Sequence, residues 1–307
     1  MFEIEILLSN IVAPAAVILA SLAACRALPS SPRRTLDAML VSLAAVVAIW
    51  LAFALRNGFS LWPEDAWQKV AIAAWLVAGA AIAAQWTRGP APTLPKIEQK
   101  DAPNSSPAEL ARFASVAASA AVATWLVFPR GEGWAELQSQ LGGWMLAVGL
   151  AVSLAWMGAS GCPPKVAAAV GFATIPILIA AAALTALSFM KVTEPLIAIA
   201  TVSGIGSILI LQLPRQSPLL PMLMAPATFA TAAFLAHGQF YAPPGVPRAL
   251  YFFAMFSPAV VALTGRVLHR RSTPLAVAAV FGSGLLLAVC LVFWTQRAGG
   301  FESADAW

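Results

Sequence analysis

The feature that most constrains this chain is the stretch from Leu141 to Leu213. It reads as three long apolar runs, GGWMLAVGLAVSLAWMGASGC, VAAAVGFATIPILIAAAALTALSFM and LIAIATVSGIGSILILQL, separated by PPK and KVTEP. Besides Cys162, its only ionisable side chains are Lys165, Lys191 and Glu194, all in the two proline-marked breaks. A helix needs about 20 consecutive apolar residues to cross the hydrocarbon core of a bilayer. The stretch therefore predicts three membrane spans folded by two tight turns, because helices apolar all round have to be buried in protein or lipid. Lipid offers the backbone no hydrogen-bond partners, so each span must satisfy its own N–H and C=O groups as a helix.

The remainder repeats the pattern. Further spans are expected at about Ile4–Leu28, Ala38–Leu55, Val70–Trp86, Leu110–Phe128, Leu219–Leu235, Ala249–Leu268 and Pro274–Trp294. The fold class is then an all-α integral membrane protein, a bundle of about ten transmembrane helices in one domain, residues 1–307. Leu22-Ala23-Ala24-Cys25 resembles a lipoprotein cleavage site, but no Lys or Arg precedes Arg26 and a basic cluster follows, so the first span is expected to stay uncleaved. The proline-rich segment 87–109 is the one long polar stretch and reads as a flexible cytoplasmic loop between spans three and four.

Only 10% of residues are charged, against about 25% in soluble proteins. With the N-terminus outside, the cytoplasmic loops hold 12 of the 18 basic residues: Arg26, Arg33, Arg34, Arg88, Lys96, Lys100, Arg112, Lys165, Arg215, Arg266, Arg270 and Arg271. The other face keeps only 6 basic residues, beside 9 acids, and this basic bias is what the positive-inside rule predicts, so both termini are placed on the non-cytoplasmic side. The net charge of +5 is thereby a topology signal rather than a mark of nucleic-acid binding. Cys25, Cys162 and Cys290 are too dispersed for a disulfide framework or a thiolate metal site. The sequence points to no metal and no cofactor.

Leu61-Trp62-Pro63-Glu64-Asp65-Ala66-Trp67 and His237-Gly238-Gln239-Phe240-Tyr241-Ala242, together with the span pattern, resemble a group of bacterial polytopic membrane proteins to which no activity is assigned. The resemblance implies a bacterial cytoplasmic (inner) membrane and no chemistry.

An ionisable residue at mid-membrane is costly and marks function when present. Here Arg56, Lys69, Glu194, Arg248 and Arg297 fall at span ends, so no proton relay is evident. The candidate site is an outer-face polar and aromatic cluster: His237, Gln239 and Tyr241 with Glu64, Asp65 and Glu194, walled by Trp62 and Trp67. The alternative is that these amphipathic side chains anchor the protein at headgroup level. Small residues Gly149 and Ser153, Ser203 to Ser207, and Gly282 to Gly284 are expected to let helices approach closely. Pro176 and Pro226 are expected to kink their spans. His-Glu zinc motifs, nucleophile elbows and phosphate loops are missing, so an enzyme is not expected. Two functions remain. One is a non-catalytic membrane component or scaffold packing against partner membrane proteins in the bilayer; the other is a transporter of a small apolar or weakly charged solute.

Overall fold

The computed structural model describes residues 8–27, 34–57, 65–87, 107–131, 134–212, 219–243 and 245–298. These residues are helical wherever they are regular, with no strand among them. After one π-helical turn at Leu8–Val12, the long helices are α1 (Ala13–Ala27), α2 (Arg34–Asn57), α3 (Lys69–Trp86), α4 (Pro107–Val127) and α5 (Leu141–Ala159). Then come α6 (Pro164–Ala186), α7 (Thr193–Gln212), α8 (Leu219–Phe240), α9 (Arg248–Leu268) and α10 (Thr273–Arg297). Eight of them, α3 to α10, are long and apolar enough to cross a membrane. The first two helices contribute shorter described apolar stretches, Leu8–Ala20 and Leu43–Ala52.

The bundle is built around α8. Every residue from Leu220 to Gln239 is buried, and the helix packs against α2, α3, α4, α5, α6, α7 and α9. By contrast α4 and α10 lie at the rim, with only 28% of their most apolar stretch buried inside the protein. Leu275, Leu285, Leu286, Val289 and Phe293 stand exposed along α10. Such a face is unfavourable in water and natural in hydrocarbon.

Small residues set the helix spacings. A Cβ on Gly284 of α10 would lie 2.8 Å from the Ala173 Cβ of α6, and one on Gly149 of α5 would lie 3.0 Å from the Ala117 carbonyl of α4. Gly171 of α6 faces Ser207 of α7. Gly149, Ser207 and Gly284 are thus packing positions, whereas Gly282 faces open space. Proline lies inside α6 (Pro176), α8 (Pro226) and α9 (Pro258).

Among the described residues no Asp, Glu, Lys or Arg is buried. Several buried hydroxyls instead bond their own helices: Thr124 donates to Ala120 (2.7 Å), Thr231 to Ala227 (2.8 Å), Ser257 to Phe253 (2.7 Å) and Thr295 to Leu291 (2.7 Å), whereas Thr228 Oγ1 has no partner among the described residues. This is how a polar side chain is tolerated where no water reaches it.

Hydrogen bonds define the two ends. At one, Gln85 donates to Ser160 Oγ (3.1 Å), and Arg112 at the start of α4 donates to the Thr87 carbonyl just past α3 (2.9 Å), so these helices meet across segment 87–109. Arg266 donates to the Met157 carbonyl near the end of α5 and sits 3.9 Å from Glu109. The exposed Lys165, Arg270 and Arg271 belong to the same end by chain order. The other end carries the candidate site.

Candidate functional site

Three chain breaks meet at this second end. The first is Asp65, extended at φ −68° and ψ 137°, which feeds a 3-10 turn, Ala66–Gln68, into α3. The second follows α4. Phe128 precedes Pro129, which disfavours helical geometry at Phe128, and Gly131 at φ +123° turns the chain toward Trp134. That left-handed conformation suits glycine. The third is the end of α8.

Between them opens a cavity of about 460 Å³ lined by Asp65, Trp67, Lys69, Phe128, Arg130, Trp134, His237 and Tyr241. His237 lies in its floor, 3% exposed, with Nε2 3.1 Å from the Val127 carbonyl of α4. A carbonyl only accepts, so Nε2 carries a proton, and in the neutral ring Nδ1 is then the acceptor nitrogen. Its aromatic walls are Trp67, Phe128, Trp134 and Tyr241, and Phe189, outside the lining, braces two of them. Trp67 meets Phe189 edge-on (5.6 Å), Phe189 stacks on Tyr241 (4.6 Å), and Tyr241 meets Trp134 edge-on (5.5 Å). Phe240 joins Phe128, Trp144 and His237 behind them.

Charge sits at the rim. Arg130 donates to the Trp125 carbonyl (3.1 Å) and lies 4.1 Å above the Trp125 ring, and the Lys191 ammonium is 5.9 Å from the Trp67 ring. Burial pushes the Tyr241 phenol above its ordinary pKa, and the nearby Asp65 carboxylate adds to the shift. At the opposite end of the bundle, burial pushes the Cys162 thiol up to about 11, with Arg266 opposing.

Of the residues singled out in the sequence, Asp65, Trp67, His237 and Tyr241 share this cavity. Trp62 and Glu64 lie outside the described residues. Glu194 sits in the first turn of α7, away from the cavity lining. Gln239 is buried, with Oε1 lacking a hydrogen-bond partner among the described residues. Headgroup anchoring does not describe His237 or Gln239, because α8 runs past the expected end at Leu235 to Phe240 and carries both inward. Gly238 permits this: a Cβ there would lie 2.9 Å from the Thr185 methyl of α6. Tyr241, just beyond the helix, is 44% exposed and alone of the three keeps an outward position.

Phe128, Arg130 and Trp134 line the cavity outside the cluster expected from the sequence, as does Lys69, expected there only as a span-end charge. The signal was present, since the turn PRGEGWAELQSQ repeats the pairing of acid with tryptophan seen around Trp62 and Trp67. A second, much smaller void of about 10 Å³ lies mid-bundle among α6, α7, α8 and α9, lined in part by Thr174, Ser203, Thr228, Thr231 and Pro258. No group of three or more His, Cys, Asp or Glu side chains able to hold a metal occurs among the described residues.

The chain matches no protein-family model, no curated protein and no solved structure. The fold itself is that of a multi-pass, all-helical membrane protein.

Proposed function

We propose that the protein is a non-catalytic, small-solute carrier of the bacterial cytoplasmic membrane, crossing it ten times with both termini on the non-cytoplasmic side. The observation that carries this reading is the recess of about 460 Å³ at the end of α8. Its volume lies in the range of small-molecule sites, roughly 300–1,000 Å³, and its surface combines aromatic walls with a few polar groups. Three prolines inside helices support the same reading: Pro258 borders the mid-bundle void, and Pro176 and Pro226 lie beside other residues that line it. A proline inside a helix removes one backbone hydrogen bond and weakens the helix at that point, where a carrier could bend. Vesicles reconstituted with the protein should take up or release members of a broad panel of small solutes. Absence of flux and of binding across that panel would refute the proposal.

A second reading, a scaffold that packs against partner membrane proteins, is favoured by the open space at Gly282 and Ala278 on the exposed side of α10. Small residues spaced this way let a second helix approach closely. Recovery of a stoichiometric partner from gentle detergent supports it, and a partner-free monomer counts against it. Reporters fused to the two ends test the ten-span topology, since an odd number of crossings puts them on opposite sides.

A further inference from the structure

The mid-bundle void is a site of a different kind. It leaves about 10 Å³ open to the centre of a water molecule, roughly the least that one water needs. Cavities that stay dry are lined by apolar groups, and this one is bordered by hydroxyls. Thr174 comes from α6, Ser203 from α7, and Thr228 and Thr231 from α8. The three threonines are at most 2% exposed.

Two of these hydroxyls have already spent their protons. Thr174 donates to the Gly171 carbonyl (2.7 Å) and Thr231 to the Ala227 carbonyl (2.8 Å). Their oxygens keep lone pairs and serve any further partner only as acceptors. Thr228 differs. Its Oγ1 is buried, the residue borders the same void, and no hydrogen-bond partner for it exists among the described residues. A buried hydroxyl left in that condition costs free energy that a partner would recover. One water complements the set: it accepts the Thr228 proton and donates its own two to Thr174 and Thr231, giving about three bonds, as internal waters usually make. Pro258 of α9 borders the void as well, and ordered water is one way in which membrane helices make good the donor that a proline lacks. A bare ion would lie there uncompensated, since no described Asp or Glu is buried.

We propose that the void is a binding site for one internal water, which joins Thr228 of α8 to Thr174 of α6 beside Pro258. The site goes beyond the carrier reading and stands whether or not a solute is carried.

The first test is water-edited solid-state NMR on the full chain in lipid bilayers, where magnetisation passes from water to the side chains beside it. Thr228 and Thr174 should receive it. Ser153 of α5 should not, because it is as deeply buried and its hydroxyl bonds the Gly149 carbonyl of its own helix (2.7 Å). No transfer to Thr228, or equal transfer to Ser153, overturns the site. Thr228→Val keeps nearly the same shape without the hydroxyl and, read by thermal unfolding in nanodiscs, should lower the midpoint by about 2 °C or more. Thr228→Ser should keep the water signal. An unpaired hydroxyl in a dry void predicts the opposite sign for Thr228→Val, an unchanged or higher midpoint, and that result overturns the proposal. Thr174→Val combined with Thr228→Val should lose less than the two single losses added, because both remove the same bridge; strict additivity overturns the bridge. Replacing sodium by choline at constant ionic strength should leave the wild-type midpoint in place, and a fall on sodium removal overturns water in favour of a cation.

Discussion

Gly158 is a position where the bundle tolerates little. It lies on α5 against the backbone of α9, and a Cβ built there would sit 2.7 Å from both the Ala262 carbonyl carbon and the Leu263 nitrogen. Ordinary carbon contacts begin about 0.7 Å further out, and the obstacle is backbone, which cannot rotate away. Gly158→Ala must therefore push two helices apart near the end where Arg266 of α9 bonds the Met157 carbonyl of α5. Overpacking of this kind costs about 1–3 kcal/mol. It opposes the gain of about 1 kcal/mol expected when a helical glycine becomes alanine. Gly282→Ala provides the control, because nothing lies within 4 Å of its added methyl. Thermal unfolding in nanodiscs should show Gly158→Ala lowering the midpoint and Gly282→Ala holding or raising it. Equal shifts in the two variants would refute the close α5–α9 approach.

Four further outcomes follow from the same contacts. His237→Ala removes the donor to the buried Val127 carbonyl and should cost about 1–3 kcal/mol of stability in a chemical melt; a neutral result would mean that the imidazole does not hold α4 to α8. Asp65→Asn should lower the pKa of Tyr241, read as phenolate absorbance against the one other tyrosine, Tyr251, because one of the two causes raising it is removed; an unmoved titration would separate Asp65 from the recess. Alkylation of Cys162 in the folded protein should be slow at pH 8 and rise about tenfold per pH unit until the thiol titrates at about 11, whereas labelling already at its plateau at pH 8 would contradict its burial. The folded thiol holds its proton more tightly than the unfolded one, so its contribution to stability is complete below pH 9 and is lost between pH 9 and about 11. Glu109→Gln should change stability by less than about 1 kcal/mol, since its 3.9 Å pairing with Arg266 is partly solvated; a larger loss would show a tighter pair.

Hydropathy made the helices legible because lipid imposes one rule on every span: cover the backbone and expose apolar side chains. It gave the limits of α4 and α9 to within a few residues, since Pro107 and Arg248 begin those helices close to the expected Leu110 and Ala249. What it left unreadable was which helix faces which. The central α8 and the rim helix α10 are both apolar on every side, yet one is enclosed and the other bordered by open space. In water such helices would differ in pattern; in a membrane protein lipid and neighbouring helix present the same chemistry, so hydropathy cannot tell them apart. That is why His237 and Gln239 were weighed as headgroup anchors.

The recess was hidden for a related reason. Asp65 and Trp67 reach His237 and Tyr241 through a fold that brings α3, α4 and α8 together, and no spacing in one sequence encodes that meeting. Turn composition came nearest to revealing it. Tryptophans paired with acids at two loops, before α3 and after α4, have an economical explanation as two membrane anchors. Trp67 is 5% exposed, however, so it anchors nothing in a headgroup layer. A tryptophan turned inward at a span end leaves its ring to be covered by other protein rings, and Phe189 and Tyr241 supply that cover. The inward turn of Trp67 thus joins what the sequence showed, an aromatic loop, to what it did not, an aromatic wall inside the bundle. Trp67→Ala tests the join directly. It should weaken the packing of Phe189 and Tyr241 and lower stability by about 3–5 kcal/mol, the loss expected for a buried tryptophan. A headgroup anchor lost from the surface would cost far less, and a change below about 1 kcal/mol would return Trp67 to that role.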